Sequence, residues 1–318
     1  MPEPAGPILY LGNGVRGQRC LRALLEAKEP VAGVIGHAGS ETSELADLAA
    51  RAGLPYRAPA SANDPATLAF VRTLGCRLAV MSGYAKIVRK AFLGCFEGGV
   101  INLHGGPLPG YRGGSPLNWQ ILRGEREIGL SVLITEEGVD SGPVLASDRF
   151  ALGADETIDE VVAKTLPRFE RMLLEVLAVW RTGALRPEPQ EIANACYFAK
   201  RLPEDGWIDW HALRAQQVHD LARALSGSYP GAFTAYGGRK LVIETTRRLD
   251  DTIVAPPGRV LGRRADGALV ACADRALLVL AVRDDLGRVV PARSLLPPRD
   301  ATFDRLPPGS LEGDRPFP

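Results

Sequence analysis

The sequence has 318 residues, of which 46% are hydrophobic and 24% are charged, enough for one sizeable domain and a smaller one. Its 38 lysines and arginines nearly balance its 37 aspartates and glutamates, which excludes a global field that would draw it to nucleic acid or to an anionic membrane. No N-terminal signal pattern and no membrane-length apolar run is found, so we expect a cytoplasmic protein with no membrane partner.

The first half of the chain alternates short apolar runs with segments of helical period. Such alternation favours an α/β fold, a Rossmann-like open and mostly parallel sheet with helices on both faces. The predicted strands are 8–11, 31–35, 78–81 and 99–103, and the predicted helices are 18–27, 44–52, 65–74 and 158–182. Two β-like runs at 130–135 and 144–150 predict an added hairpin or edge pair.

Pro187-Glu188-Pro189 follows the last of these helices and predicts a domain boundary, because proline ends helices and favours extended linkers. We therefore predict a first domain over 1–186, a linker over 187–202 and a small β-rich domain over 203–318. One helix at 211–225 and short strands at 232–236, 240–244, 258–261, 269–272 and 277–282 predict a small barrel or sandwich there.

The five cysteines are scattered, odd in number, and lack the CxxC spacing of zinc sites or redox pairs. We expect reduced thiols and no metal site.

A glycine-rich loop, Gly12-Asn13-Gly14-Val15-Arg16-Gly17, follows the first strand at the position of a dinucleotide fingerprint. Such a site should also place an acidic residue after the second strand, and this chain has Gly36-His37-Ala38-Gly39 there. The pattern therefore favours a tight strand-to-helix turn, which can still line a ligand pocket.

The residues best suited to chemistry lie in and after the strand that ends in Asn102 and His104. Strand side chains alternate, so these two share a face. The Gly-Pro loop that follows, Gly105 to Pro116, has Tyr111 and Arg112 at its centre and can form one wall of a ligand site. A later Gly-rich turn can return Asp140 to the same edge.

An amide, an imidazole and a carboxylate are what acyl transfer to an amine requires. The attacking amine must lose a proton, and the carbonyl oxygen must be stabilised as it gains charge. Taken singly, a histidine is more often a packed residue, and an aspartate in a Gly-rich turn more often bonds backbone. Both interpretations are open at this point.

Three motifs in order resemble the folate-dependent formyltransferase family. They are Asn102-Leu103-His104, Leu108-Pro109-Gly110-Tyr111-Arg112-Gly113 and Gly138-Val139-Asp140-Ser141-Gly142. The resemblance implies that 1–186 is the catalytic domain and that N10-formyltetrahydrofolate is the donor. It also implies roles: Asn102 as oxyanion donor, His104 as the proton-handling group and Asp140 as the carboxylate that tunes the histidine.

The resemblance also implies that the pterin is held largely by main chain. The residues expected there are Met81, Gly83, Ile87, Val88, Leu103, Thr135, Gly138 and Val139. The glycine turn and the Gly-Pro loop supply the expected substrate contacts, which are Gly12, Asn13, Gly105, Gly106, Pro107, Tyr111 and Arg112.

The likeness extends into the second half. Tyr197-Phe198-Ala199-Lys200-Arg201 and Ser228-Tyr229-Pro230-Gly231-Ala232-Phe233-Thr234 are similar to the C-terminal part of sugar-nucleotide and methionyl-tRNA formyltransferases, a small OB-like open barrel. The second run is most similar to the branch that formylates UDP-4-amino-4-deoxy-arabinose. The first loop, Gly12-Asn13-Gly14, departs from the Gly-Thr-Pro of the tRNA branch.

The acceptor amine is expected to be small. Residues 203–318 carry 16 basic and 15 acidic side chains, which disfavours a tRNA polyanion. An amino sugar, sugar nucleotide, aminoglycoside-like compound or amino acid derivative fits better. Methionyl-tRNA formylation, hydrolysis of the formyl donor and a non-catalytic folate-binding module are the alternatives, and a homodimer is open. The hydrolase of the family carries an extra N-terminal domain that is not expected here.

Overall fold

The computed structural model describes residues 6–40, 43–284 and 286–305. They divide into two compact units. The first comprises the residues up to Pro116, Ile128–Phe150 and Ala163–Phe198, and the second comprises Leu117–Glu127, Ala151–Val162 and the residues from Ala199 onward. The predicted domain limits at 1 and 318 lie outside the described residues, and the boundaries at 186 and 203 stay predictions.

A seven-stranded sheet forms the centre of the first unit. The strands up to residue 198 are β1 (Ile8–Gly12), β2 (Val31–Ile35), β3 (Tyr56–Arg57), β4 (Leu78–Ser82), β5 (Val100–His104), β6 (Arg112–Gly113), β7 (Glu127–Ile134), β8 (Val144–Ala151) and β9 (Tyr197–Phe198). The sheet order is β3-β2-β1-β4-β5-β7-β8, parallel from β3 to β5 and antiparallel between β5 and β7. Strands β1 and β4 are buried throughout, which is typical of a parallel sheet covered on both faces.

The helices of this part of the chain are α1 (Gly14–Glu26), α2 (Glu44–Arg51), α3 (Pro65–Thr73), α4 (Lys90–Leu93), α5 (Pro116–Leu122) and α6 (Ile158–Arg181). Side chains cap the first turns of α2 and α3. The Ser43 hydroxyl accepts a hydrogen bond from the Ala46 amide at the start of α2. Asp64 does the same for Thr67 at the start of α3, where Pro65 is the first helical residue.

The glycine loop between β1 and α1 forms a tight turn. A Cβ added at Gly17 would lie 3.1 Å from the Gly12 carbonyl carbon and from the Ser82 oxygen, so a side chain there would push the helix and strands apart by a few tenths of an ångström. Gly14 has a φ of +60°. The structure thus has the strand-to-helix turn that the sequence favours.

The second unit is built on an antiparallel sheet. Its strands are β10 (Ala232–Tyr236), β11 (Arg239–Arg247), β12 (Val260–Arg264), β13 (Gly267–Ala271), β14 (Ala276–Arg283) and β15 (Val289–Pro291), and its helices include α7 (Ala215–Ala224) and α8 (Ala292–Leu295). The order is β10-β11-β14-β13-β12, with β15 also paired to β14. Helix α7 buries Val218 and Leu221 in one core with Ile243 and Val279 of this sheet. The predicted fold class, a mostly parallel α/β sheet followed by a β-rich region, is confirmed.

Helix α7 begins at Ala215, later than the predicted start at residue 211. The Asp209 carboxylate accepts hydrogen bonds from the amides of His211 and Ala212, which forms a turn instead of a helix. The Asp274 carboxylate then accepts from the Ala215 amide at the true start. This second contact comes from a distant part of the chain, so local sequence could not reveal it.

Several short elements were not predicted. Strands β3, β6 and β9 have two residues each, and α4 and α8 are single turns. Their lengths are below the window in which hydrophobic period can be detected. Among the described residues, no helix has the length and apolarity needed to cross a membrane.

Candidate functional site

Strand β5 presents Asn102 and His104 at the carboxyl edge of the parallel sheet. It lies between β4 and β7, where Asn102 is opposite Met81 on one side and Leu133 on the other. His104 is opposite Ser131. Both side chains reach the same carboxylate, that of Asp140.

Asp140 completes the predicted set. Its Oδ2 lies 3.5 Å from His104 Nδ1, and its Oδ1 accepts a hydrogen bond from Asn102 Nδ2 at 3.4 Å. The side chains of His104 and Asp140 are 6% and 14% exposed, so water screens this pair weakly. The structure therefore brings the amide, the imidazole and the carboxylate into one group.

Asp140 lies on a turn, and its carboxylate is held by a further hydrogen bond. Asp140 has a φ of +48°, in the left-handed region that Asn, Asp and Gly tolerate best. Its Oδ2 also accepts the Gly113 amide at 2.9 Å. On the strand side, the Thr135 amide donates to the Val100 carbonyl at 2.7 Å and so ties the turn to β5.

The second ring nitrogen of His104 is held by the Gly-Pro loop. Nε2 lies 2.6 Å from the Tyr111 carbonyl oxygen, and because a carbonyl only accepts, Nε2 carries a proton in this arrangement. Nδ1 is thus the nitrogen that faces the carboxylate. A proton on Nδ1 would complete an ion pair with Asp140.

The loop after β5 is tightly packed. A Cβ on Gly106 would lie 3.0 Å from His104 Nε2, and one on Gly129 would lie 2.5 Å from Pro107. Ser131 Oγ donates to the Gly106 carbonyl at 2.8 Å and accepts from the Leu108 amide at 3.1 Å. Gly105 is buried beside them. These contacts favour a rigid wall at the predicted substrate residues.

Tyr111 and Arg112 lie at the centre of this loop and are both buried. The Tyr111 ring stacks on Phe198 with the centroids 4.9 Å apart. Arg112 donates from Nε and Nη2 to Gln190 Oε1, at 3.0 and 2.8 Å, and from Nη1 to the Tyr197 hydroxyl at 2.8 Å. Its guanidinium is therefore engaged with the segment that follows α6.

The loop after β4 carries several residues predicted to hold the pterin. Gly83 has a φ of +72°, and a Cβ there would lie 2.4 Å from the Asn13 carbonyl oxygen. The Asn13 amide in turn donates to Ser82 O at 3.3 Å. The structure thus brings the loop after β4 against the glycine turn after β1, including Gly12 and Asn13.

The other predicted pterin residues differ in how they can meet a ligand. Met81 and Leu103 are buried in the sheet, and Leu103 faces away from Asn102 and His104. Val88 belongs to the core beneath the loop. Ile87 is 61% exposed and Val139 is 41% exposed. Gly138 is exposed as well. Main-chain contacts are therefore the main means by which this set could bind.

Thr135 carries a buried hydroxyl that has no hydrogen-bond partner among the described residues. A buried hydroxyl without a partner costs free energy, and a polar ligand group would relieve that cost. This atom lies at the end of β7, beside the turn that leads to Asp140.

Two side chains that sequence reasoning missed hold the loop after β4. His37 Nε2 accepts the Ala85 amide at 3.1 Å. Asn63 donates from Nδ2 to the Ile87 carbonyl at 2.8 Å and accepts the Arg89 amide at 2.7 Å. The sequence contained one indication of His37, because this residue occupies the place of the acidic residue in a dinucleotide site. Asn63 had no sequence signal.

Burial controls the protonation of the loop's tyrosine. Tyr84 is buried against His37, with the ring centroids 4.9 Å apart. Loss of solvent raises the pKa of Tyr84 to about 12. Its hydroxyl is therefore neutral at physiological pH and can act as a hydrogen-bond donor. Among the described residues, no group of His, Cys, Asp and Glu is arranged to hold a metal ion.

Two family models match this chain and show the family to which it belongs. A family model described as formyl transferase matches residues 16–177, and one described as the formyl transferase C-terminal domain matches residues 201–297. The chain belongs to the formyl transferase family. The predicted family is confirmed by this membership.

Solved structures of other proteins share the fold. HypX from Aquifex aeolicus, in complex with tetrahydrofolic acid, is 21% identical over 92% of this chain with a TM-score of 0.63. The match covers 47% of HypX, so this chain spans about half the length of that protein. The N-formyltransferase from Helicobacter canadensis, solved with folinic acid and dTDP-3-aminofucose, is 15% identical over 86% of this chain and 98% of its own, with a TM-score of 0.67.

A methionyl-tRNA formyltransferase from Clostridium thermocellum is also similar. It is 22% identical over 79% of this chain and 97% of its own, with a TM-score of 0.57. At such identities the likeness of these three structures establishes the shared fold alone. The formyltransferase range 16–177 contains Asn102, His104 and Asp140 but neither Asn13 nor Gln190.

Proposed function

We propose that this formyltransferase family member transfers the formyl group of N10-formyltetrahydrofolate to a primary amine of a small metabolite. The observation that carries the proposal is the convergence of Asn102 and His104 on the Asp140 carboxylate, at 3.4 and 3.5 Å. Amide, imidazole and carboxylate in one weakly screened group provide what formyl transfer to an amine needs.

Each residue has a distinct task in this proposal. Asn102 donates an N–H to the formyl oxygen as that oxygen gains charge. Its side chain makes one hydrogen bond among the described residues, to Asp140, so further hydrogen-bonding capacity is available for substrate. His104 takes up the proton that the amine loses, and Asp140 stabilises the imidazolium that results.

The proton balance closes within the site. The amine loses one proton when its nitrogen bonds to the formyl carbon, and N10 of the folate gains one when its bond to that carbon breaks. His104 Nδ1 is suited to carry this proton because Nε2 already donates to Tyr111 O. No covalent intermediate with the protein is needed.

A folate as donor is supported by the loop after β4 and by the turn after β7, which carries Asp140. Strands β4 and β7 are the two neighbours of β5 in the sheet, β4 parallel to it and β7 antiparallel. The loop and the turn offer main-chain groups and the buried Thr135 hydroxyl. The structures of HypX with tetrahydrofolic acid and of the Helicobacter canadensis enzyme with folinic acid support a folate at this fold.

A small amine as acceptor is supported by how the second unit uses its basic side chains. Arg248 donates to Gln216, Arg263 donates to the Leu296 carbonyl, and Arg247 pairs with Asp266. Lys240 lies over the Phe233 ring, 4.0 Å from the centroid. Cations committed to internal contacts are less available to the phosphates of a tRNA. An amino sugar, free or as a sugar nucleotide, is the proposed class.

The test is an acceptor panel. We would measure consumption of N10-formyltetrahydrofolate with amino sugars, nucleotide-linked amino sugars, aminoglycosides, amino acids, aminoacylated initiator tRNA and no acceptor. Formylation of an amino sugar is the expected result. Turnover without acceptor would assign hydrolysis, and turnover with the charged tRNA alone would assign the tRNA reaction. Either outcome would overturn the proposal.

Two matched variants test whether formyl transfer depends on the Asp140 carboxylate. Asp140→Asn should lower transfer about 10²- to 10⁴-fold while folate binding stays measurable, because the carboxylate acts on His104 and not on the pterin. Asp47→Asn changes an exposed aspartate on α2 and should leave the rate unchanged. Equal rates in both variants would contradict the proposed role of Asp140.

A further inference from the structure

The segment that follows α6 is tied to both sides of the site. Glu188 exchanges two backbone hydrogen bonds with Val144, each 2.8 Å long, just after the Asp140 turn. Further along, the Cys196 amide donates to the Pro109 carbonyl at 3.2 Å, and β9 pairs with β6 in the Gly-Pro loop. A stretch that the sequence marks as a linker is therefore built into the first unit.

Gln190 lies between these two attachments and uses its amide fully. Nε2 donates to the Asp140 carbonyl at 2.9 Å and to the Gly142 carbonyl at 2.6 Å. Oε1 accepts from Arg112 Nε at 3.0 Å and from Nη2 at 2.8 Å. Two donated and two accepted hydrogen bonds exhaust the capacity of a primary amide. The partners also set its orientation, because a reversed amide would turn N–H groups toward the guanidinium.

We propose that Gln190 is a positioning residue for formyl transfer, which fastens the Asp140 turn to Arg112 and thereby aims the Asp140 carboxylate at His104. The inference rests on the proposed function of the triad. Gln190 does not need to touch substrate for this role. It holds the main chain of the residue whose side chain does the work.

Geometry explains why such a brace matters. Asp140 has its backbone in the left-handed region, with a φ of +48°, and is followed by Ser141 and Gly142. A turn of this kind has few backbone constraints of its own. Its carboxylate must nevertheless meet His104 Nδ1, Asn102 Nδ2 and the Gly113 amide together. A clamp on the carbonyls of residues 140 and 142 supplies the missing constraint.

Arg112 forms the other end of the brace. It is 3% exposed, and its three donating groups serve Gln190 and Tyr197. The sequence predicts a substrate contact at Arg112. The proposal assigns it instead an indirect effect, through Gln190, on the Asp140 turn.

Two variants separate the halves of the Gln190 amide. Gln190→Met removes both, whereas Gln190→Glu keeps an acceptor for Arg112 and loses the donors to the two carbonyls. Both variants should lower kcat on the order of 10²-fold, and the KM for the folate should stay within about twofold of the wild-type value. Glu191→Ala is the control and should match wild type, because Glu191 is an exposed neighbour whose side chain accepts a hydrogen bond from Asn194.

Two kinetic results would overturn the proposal. The first is wild-type kcat in Gln190→Glu, since the donors to the Asp140 turn would then be dispensable. The second is a rise in KM with unchanged kcat, since that would indicate a binding residue. Thermal unfolding of both variants checks that each is folded. If Gln190→Met does not fold, Gln190→Glu still tests the proposal, because it retains the contact with Arg112.

A readout that needs no catalysis separates this inference from the proposed function. The Gly113 amide donates to the Asp140 carboxylate at 2.9 Å, so its hydrogen exchange reports where that carboxylate lies. Gln190→Met and Gln190→Glu should speed exchange at Gly113 about tenfold or more, against no change in Glu191→Ala. Unchanged exchange would overturn the positioning role. If the wild type formylates none of the amines, the proposed function fails, and the exchange experiment still decides the inference.

Discussion

Each of the two units buries a histidine, and the two are used differently. In the first unit, His104 Nδ1 faces the Asp140 carboxylate and Nε2 binds the Tyr111 carbonyl. In the second unit, His219 Nδ1 accepts from the Thr246 hydroxyl at 2.8 Å, and Nε2 donates to the Ala154 carbonyl at 3.1 Å. Asp155 Oδ1 also lies 3.2 Å from His219 Nε2, but the Asp155 side chain is 71% exposed. Burial alone therefore does not distinguish the two histidines, whereas the burial of the carboxylate beside each of them does.

The surroundings of His219 hold it neutral. Burial lowers the pKa of His219, and this effect outweighs the opposing contact with Ala154 O. The neutral ring satisfies both of its partners, with one nitrogen as acceptor and one as donor. His219 thus serves the core of the second unit, beside the buried pair of Asp220 and Arg223.

The largest expected effect is on the rate of formyl transfer, and it tests the difference between the two histidines. His104→Leu should lower formyl transfer about 10²- to 10⁴-fold, because the proton of the amine loses its acceptor. His219→Leu is the matched control, a buried histidine changed in the same way, and its rate per folded molecule should equal wild type. Single-turnover transfer with the acceptor identified in the panel is the measurement. A comparable loss of rate in His219→Leu would refute the distinction.

A smaller effect is expected on stability. His219→Leu leaves the Thr246 hydroxyl and the Ala154 carbonyl without their partner, at a cost of about 1–3 kcal/mol of unfolding free energy for each group left unpaired. Denaturant unfolding followed by fluorescence measures this. Thr246→Val, which removes one of the two contacts, should give an intermediate loss. No loss in either variant would mean that the network contributes nothing to stability.

The unfolding free energy should also depend on pH through the protonation of His219. The unfolded chain binds a proton at His219 near the ordinary pKa of 6.5, whereas the folded protein resists it because its pKa is lowered. The unfolding free energy should therefore fall as pH falls below 6.5, by up to about 1.4 kcal/mol per pH unit for one proton, until the lowered pKa is reached. Wild type minus His219→Leu isolates this component. A difference that is flat with pH would contradict it.

The smallest effect concerns the cysteines of the two units. Burial raises the pKa of Cys20 to about 11 and that of Cys272 to about 12, so both should resist thiol reagents at neutral pH. Cys196 is exposed, beside the Gly-Pro loop, and should react first with an aromatic disulfide. Cys196→Ser should remove the fast phase. A fast phase that persists in Cys196→Ser would show that another thiol is open to the reagent.

Local sequence predicted much of the fold because hydrophobic period and helix caps act over a few residues. Strands β1, β2, β4 and β5 and the long helix α6 lie close to their predicted positions for this reason. The two-residue strands β3, β6 and β9 escaped prediction, because nothing in a dipeptide reveals a partner strand. The delayed start of α7 likewise depended on Asp274, 59 residues beyond the amide that it caps.

The sequence by itself determined that Asn102 and His104 share a face, since alternation along a strand is a local property. It also suggested Asp140, through a family motif. Only the tertiary structure decided the brace formed by Gln190. That residue joins Asp140, 50 positions away, to Arg112, 78 positions away, and its role depends on four hydrogen bonds that close together in space. Such contacts arise from how strands and loops meet after folding, and no pattern within a single segment encodes them.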